Sequence, residues 1–176
     1  MADTNSSVES TQSTPVTSIE AKAEPRFSWP HMYLGALGFA ISLYAFRLHA
    51  IIKAGGESGC GFSETINCDK VLASQYGAFL GLPLGAYGMA YFVLVILTAV
   101  TTNPKTTQQQ ETLQRLAVAS AGLIGAGVLI YISYGIIKAA CPVCMSIHAT
   151  ILAIFVIALW QFLNVRKTAN SLPENQ

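Results

Sequence analysis

The sequence predicts an all-α membrane protein: a four-transmembrane-helix bundle with a short half-helix in one extracytoplasmic loop. Three observations carry this. Of 176 residues, 52% are hydrophobic and 11% charged, with a mean hydropathy of +0.48, more apolar than a soluble core of this size needs. Four segments, 31–52, 79–100, 116–137 and 145–163, approach or exceed the roughly 20 apolar residues that a span requires. The second and third of these contain no charge at all. What is left over is too short for a further folded domain, and a net charge of +1 argues against nucleic acid as a partner.

Taken in order, residues 1–28 are polar and rich in Ser and Thr, without the basic start and apolar middle of a signal peptide. They are expected to form a disordered cytoplasmic tail. The membrane domain is expected over 29–165, with a second cytoplasmic tail over 166–176 that frays from 168. Trp29-Pro30 opens the first segment, with Trp29 as an interfacial anchor. Its outer end carries Arg47 and His49, and Arg47 is expected to snorkel to the headgroups. In the connector that follows, Gly55, Gly56 and Gly59 favour mobility. From Asn67 as N-cap, the stretch from Cys68 to Ser74 reads as one or two helical turns. Val71 and Leu72 there either lie on the membrane surface or cover a pocket. Gly77, Gly81 and Pro83 introduce the second span. The 101–115 connector is short and polar. In the third segment Ala121 and Gly125 have small-xxx-small spacing, which predicts close helix packing.

Lys and Arg favour the cytoplasmic side. With the N-terminus inside, the inner flanks carry Lys22, Arg26, Lys105, Arg115, Arg166 and Lys167, against Lys53, Lys70 and Lys138 outside. The cysteines agree with this orientation. Cys60 and Cys68 lie in the first connector, and Cys141 and Cys144 at the mouth of the last segment. With four spans both pairs fall on one extracytoplasmic side, where disulfides persist.

Cys141-Pro142-Val143-Cys144 directly precedes an apolar run. Proline suits the first helical position, so Cys141 becomes the cap and Cys144 falls in the first turn. The positive helix end then stabilises a thiolate and lowers the thiol pKa. Two dithiols on one face are suited to exchange, in which a thiolate attacks a disulfide sulfur. Inert buried cysteines and a zinc site are the alternatives. A quinone is the acceptor most available to a dithiol in a bilayer, and its pocket should be apolar with one or two donors. His148, one turn after Cys144 on the same face, either donates to a quinone oxygen or bonds a backbone carbonyl. Phe79, Tyr87, Tyr131 and Tyr134 are further candidates for the pocket wall.

The chain resembles the vitamin K epoxide reductase family in its bacterial or archaeal branch. The matching features are Cys60-x7-Cys68, Ser74 six residues later, the run from Phe79 to Leu84, and Cys141-Pro142-Val143-Cys144 before the final span. The resemblance implies a four-helix bundle around a quinone (ubiquinone or menaquinone), with the loop half-helix as a lid. It implies that Cys60 and Cys68 shuttle electrons, that Cys141 exchanges with the loop, and that Cys144 faces the quinone. Ser74 would bind or orient the quinone, its plain alternative being a helix-surface hydroxyl. Many bacterial members carry a fused thioredoxin-like domain. This chain ends soon after its last span, so a separate DsbA-like or thioredoxin-fold partner is implied. The animal enzymes place Asn and Tyr where Gly77 and His148 stand here, which favours quinone reduction over epoxide reduction. The expected function is therefore an inner-membrane oxidase that supports disulfide formation in exported proteins. The alternatives are a vitamin K quinone or epoxide reductase, and a non-catalytic membrane protein with a zinc or structural disulfide site.

Overall fold

A computed structural model describes residues 28–100 and 107–171. The expected N-terminal tail up to residue 27, with Lys22 and Arg26, lies outside the described residues, as do Lys105 and residues 172–176. The element order is α1 (Trp29–Lys53), α2 (Cys68–Ala73), a hairpin of β1 (Ala78–Phe79) and β2 (Leu82–Pro83), α3 (Leu84–Val100), α4 (Gln108–Tyr131) continued by a π-helical turn (Ile132–Ile137), and α5 (Pro142–Ser171). α1 and α4 each pack against both α3 and α5, so α3 and α5 occupy opposite corners of an all-α membrane bundle. Among the described residues, three stretches are long and apolar enough to cross a membrane: Trp29–Lys53, Gln108–Ile137 and Pro142–Thr168. α3 is a shorter apolar helix of 17 residues.

Local chemistry sets the helix starts. Pro30 sits in the first turn of α1, where its missing N–H costs nothing. Asn67 caps α2 as expected, its Oδ1 accepting the Lys70 N–H at 3.1 Å. Thr107 and Gln110 form a reciprocal capping box at α4, with bonds of 3.3 and 3.0 Å.

Far from the cysteines the helices interlock on small residues. Phe92, Val95, Ala119, Ile154 and Ala158 form a fully buried core. Gly38 lies against the Phe92 ring, where an added Cβ would collide, and Gly35 lies equally close to Ile96. In lipid such shape-matching holds helices together, because the tails are as apolar as the side chains. Leu37, Leu94, Ile124 and Val128 point outward as lipid-facing residues do.

Four features differ from the sequence reading. The second span begins at Leu84, because 78–83 fold into the hairpin, with Ala78 opposite Pro83 and Phe79 opposite Leu82. Leu80 (φ 49°) and Gly81 (φ 81°) form its left-handed corner, and hydrophobicity alone cannot tell this run from helix. α4 starts at Gln108, so Arg115 is not a flank residue. It is 6% exposed within the helix, and its Nε donates to the Thr98 carbonyl at 3.1 Å. α5 stays helical past residue 168 to Ser171. Finally, α4 widens into the π turn before Lys138, which adopts φ 55° and ends the helix.

Candidate functional site

All four cysteines gather at one end of the bundle. The first connector runs parallel to the residues before α5. The Asn67 N–H donates to the Ala140 carbonyl at 3.0 Å, and the Ala140 N–H donates to the Thr65 carbonyl at 2.7 Å. α2 starts one residue after the first bond and α5 two residues after the second. The pin therefore fixes the two helix starts side by side. Cys60 and Cys68 form a disulfide with Cα atoms 5.7 Å apart, while Cys141 and Cys144 are free thiols. The Sγ atoms of Cys68 and Cys141, both buried, are 3.1 Å apart. That lies within the roughly 3–3.5 Å of a near-attack arrangement.

Cys141 caps α5 as the proline predicts, and the Cys144 N–H points at its sulfur at 3.5 Å. The Cys141 thiol is pulled down to about 7. The leading cause is a hydrogen bond from the Cys144 side chain, helped by the backbone N–H groups of Cys144 and Val143 and opposed by burial and the Asp69 charge. Cys141 is therefore substantially thiolate at neutral pH. Cys60 is half-buried and Cys68 fully buried, so Cys60 is the more exposed residue of the disulfide. The Ser58 hydroxyl lies 3.4 Å from the Cys60 sulfur, and the Ser58 N–H donates to Asp69 Oδ1 at 3.0 Å.

Beneath this end lies a cavity of about 320 Å³, walled by the bundle helices and by Val71 and Leu72 of α2. Those two residues cover a pocket, one of the two roles open to them in the sequence. Cys144 and His148 both line the cavity, one turn apart on α5. His148 is 8% exposed and its Nδ1 has no hydrogen-bond partner. The other sequence candidates, Tyr87 apart, sit elsewhere. The Ser74 hydroxyl donates to the Val71 carbonyl at 2.7 Å at the end of α2, away from the cavity wall. Phe79 is 60% exposed on the hairpin, packed edge-on against Tyr87. Tyr87 does line the cavity, with its hydroxyl bonded to the Phe79 carbonyl at 2.9 Å. Tyr131 and Tyr134 are exposed and outside it.

Sequence reasoning missed Tyr91 and Ser133, which line the cavity, and saw only the packing role of the small residues of α4. Ala121, Gly122, Gly125 and Ala126 make room for the cavity, and Gly125 has open space where a Cβ would stand. A packing role alone does not account for them. Gly77 is glycine for a separate reason: any side chain there would strike the Leu72 carbonyl. The only signal for Tyr91 was a polar tip in the middle of an uncharged span.

The cavity fits a quinone headgroup. Its walls are almost wholly apolar, and its volume is at the low end of the roughly 300–1,000 Å³ usual for ligand sites. Among the described residues, no group of three or more His, Cys, Asp or Glu is placed to hold a metal ion.

A thiolate poised against a disulfide, above an apolar cavity in a membrane bundle, defines a membrane thiol oxidoreductase. A profile of the Vitamin K epoxide reductase family matches residues 29–159, and the chain belongs to that family. Its members are oxidoreductases that act on quinones and work with thioredoxin-like partners.

Proposed function

We propose that this protein carries electrons from a reduced thioredoxin-fold partner through Cys60/Cys68 and Cys141/Cys144 to a quinone, and so supports disulfide formation in exported proteins. The observation that carries the reading is the 3.1 Å approach of the Cys68 and Cys141 sulfurs directly over the cavity. The setting is the inner membrane, with the cysteine end outside and both termini in the cytoplasm.

The sequence of exchanges follows from exposure and distance. A partner thiolate attacks Cys60, the more exposed cysteine, and Cys68 leaves as a thiolate. Cys68 attacks Cys141 of the Cys141–Cys144 disulfide, and Cys144 leaves as a thiolate facing the cavity. The partner's second cysteine displaces Cys60. Cys60 then attacks Cys68, re-forms the loop disulfide and releases Cys141. The result is a closed loop disulfide with free Cys141 and Cys144, the redox state seen here. The dithiol closes again by giving two electrons and two protons to the quinone, which leaves as quinol. His148 holds a headgroup oxygen one turn below Cys144, and Val71 and Leu72 exclude water.

The test is quinone reduction by purified protein in detergent, with a reduced thioredoxin-fold protein as donor. Wild type should turn over, and Cys144→Ala should not. Cys60→Ala should lose the protein donor while keeping some turnover with dithiothreitol. Oxidation of the partner by a Cys141→Ala variant would overturn the relay.

A further inference from the structure

A chain of hydrogen bonds runs from α2 to the Cys60 sulfur. Asp69, in the first turn of α2, accepts the Ser58 N–H on Oδ1 at 3.0 Å. The Ser58 hydroxyl oxygen accepts the Cys60 N–H at 3.3 Å and stands 3.4 Å from Cys60 Sγ. Gly59 between them, at φ 71°, makes the left-handed turn that folds this hydroxyl back onto Cys60. With Cys60 in a disulfide its sulfur carries no hydrogen, so in this pair only the hydroxyl can donate. Ser58 and Asp69 are both half-buried, which shields the bonds in part from water. Asp69 directly follows Cys68, so the first turn of α2 fixes one cysteine of the disulfide covalently and the hydroxyl beside the other through Ser58.

The relay described above leaves Ser58 and Asp69 without a role. The partner's attack puts Cys60 into a mixed disulfide, and that intermediate has two exits. The Cys68 thiolate can attack Cys60 and send the partner back reduced. Alternatively, the partner's second thiolate attacks the partner's own bonded sulfur. The second route forms the partner's disulfide, breaks its bond to Cys60 and leaves the electron pair on Cys60 Sγ as a thiolate. Of the two, only the second puts charge on Cys60. We propose that Ser58 is a catalytic hydrogen-bond donor to the departing Cys60 thiolate, held by Asp69 as a positioning residue, and that the pair commits the mixed disulfide to release of the oxidised partner. A donor at the sulfur favours its charged form, and a thiol of lower pKa leaves faster. The inference rests on the reading above that Cys60 is the partner's point of entry, and adds what decides the exit.

The test first reads the Cys60 thiol. In the full chain carrying Cys68→Ala, which frees Cys60, brief iodoacetamide alkylation over a pH series with peptide mapping gives the Cys60 titration. Adding Ser58→Ala should move that titration upward by about one pH unit, while Ser58→Thr, which keeps a hydroxyl, should leave it in place. Asp69→Asn and Asp69→Ala both remove the charge, but only Asn keeps an acceptor for the Ser58 N–H, so the Ala variant should titrate higher than the Asn variant. With all four cysteines present, oxidised protein is then mixed with a reduced thioredoxin-fold donor and quenched in acid. Ser58→Ala should trap about three- to tenfold more Cys60 mixed disulfide than wild type. A titration unmoved by Ser58→Ala, or moved equally by Ser58→Thr, would overturn the donor and leave the relay standing. Equal titrations in the two Asp69 variants would overturn the positioning role. If neither wild type nor Ser58→Ala forms a mixed disulfide at Cys60, the entry reading falls, and the release role falls with it whatever the titration shows.

Discussion

The two ends of the bundle solve different problems with the same few helices. Deeper in the bundle, Phe92, Val95, Ile154 and Ala158 form an apolar cluster that interlocks with glycines and alanines. At the cysteine end, the buried cluster is Leu48, Cys68, Val71, Leu72, Ala139 and Cys141, so sulfur and a one-and-a-half-turn helix take the place of close-packed spans. A cavity lies beneath that lid. The difference teaches that the fold keeps its rigidity where nothing has to move and spends its looseness where thiols must exchange partners. The two ends should therefore fail differently when altered.

The largest effect belongs to the cysteines. Cys144→Ala should reduce quinone turnover to background while leaving the detergent unfolding temperature within a few degrees of wild type. A matching loss of stability would blur the division. Next comes the pin between the connector and α5. Ala140→Pro removes the N–H that bonds the Thr65 carbonyl. A displacement of about 1 Å between reacting atoms can cost up to about a hundredfold, so exchange between the two cysteine pairs should slow by about ten- to a hundredfold. Rapid-quench alkylation would follow it. Away from the cysteines, Gly38→Val forces two methyl groups against the Phe92 ring, which also borders the cavity, and should cost about 1–3 kcal/mol of stability. Exchange per folded molecule should be untouched, as chemical unfolding beside the quench assay would show.

The smallest effect is in pH. Cys141 is held near 7, so its thiolate fraction rises as pH increases through 7 and falls about tenfold per unit below it. Ultraviolet thiolate absorbance in wild type with the loop disulfide closed should show a step near 7. In Cys144→Ala the leading hydrogen bond is lost and the step should move upward. A step that stays at 7 would assign the lowering to the helix start alone.

Much of this was legible from residue order. Four largely apolar runs gave four helices, Asn67 marked the start of α2, and Pro142 marked Cys141 as a cap with Cys144 and His148 on one face below it. What was not legible depends on backbone geometry or on distant pairing. The run from Phe79 to Pro83 is as apolar as helix, and only the corner at Leu80 and Gly81 folds it into a hairpin. The pairing of Thr65 and Asn67 with Ala140 joins segments more than seventy residues apart, with no local signal. The Ser74 hydroxyl turned back to its own helix, a use of serine that competes with any ligand role. The alanines and glycines of α4 have the spacing of a helix contact, yet they border a cavity, because small residues serve both purposes.

The measurement that tests the relay most directly is a pair of trapping variants. Cys60→Ala with Cys144→Ala leaves Cys68 and Cys141 alone, and Cys68→Ala with Cys144→Ala leaves Cys60 and Cys141. Each is exposed to mild oxidant in detergent, and the disulfides are located by peptide mapping. A Cys68–Cys141 disulfide should form rapidly and nearly completely in the first variant, with little or no Cys60–Cys141 disulfide in the second. Equal yields in both, or a Cys60–Cys141 disulfide as the faster product, would contradict the relay from the loop into the bundle.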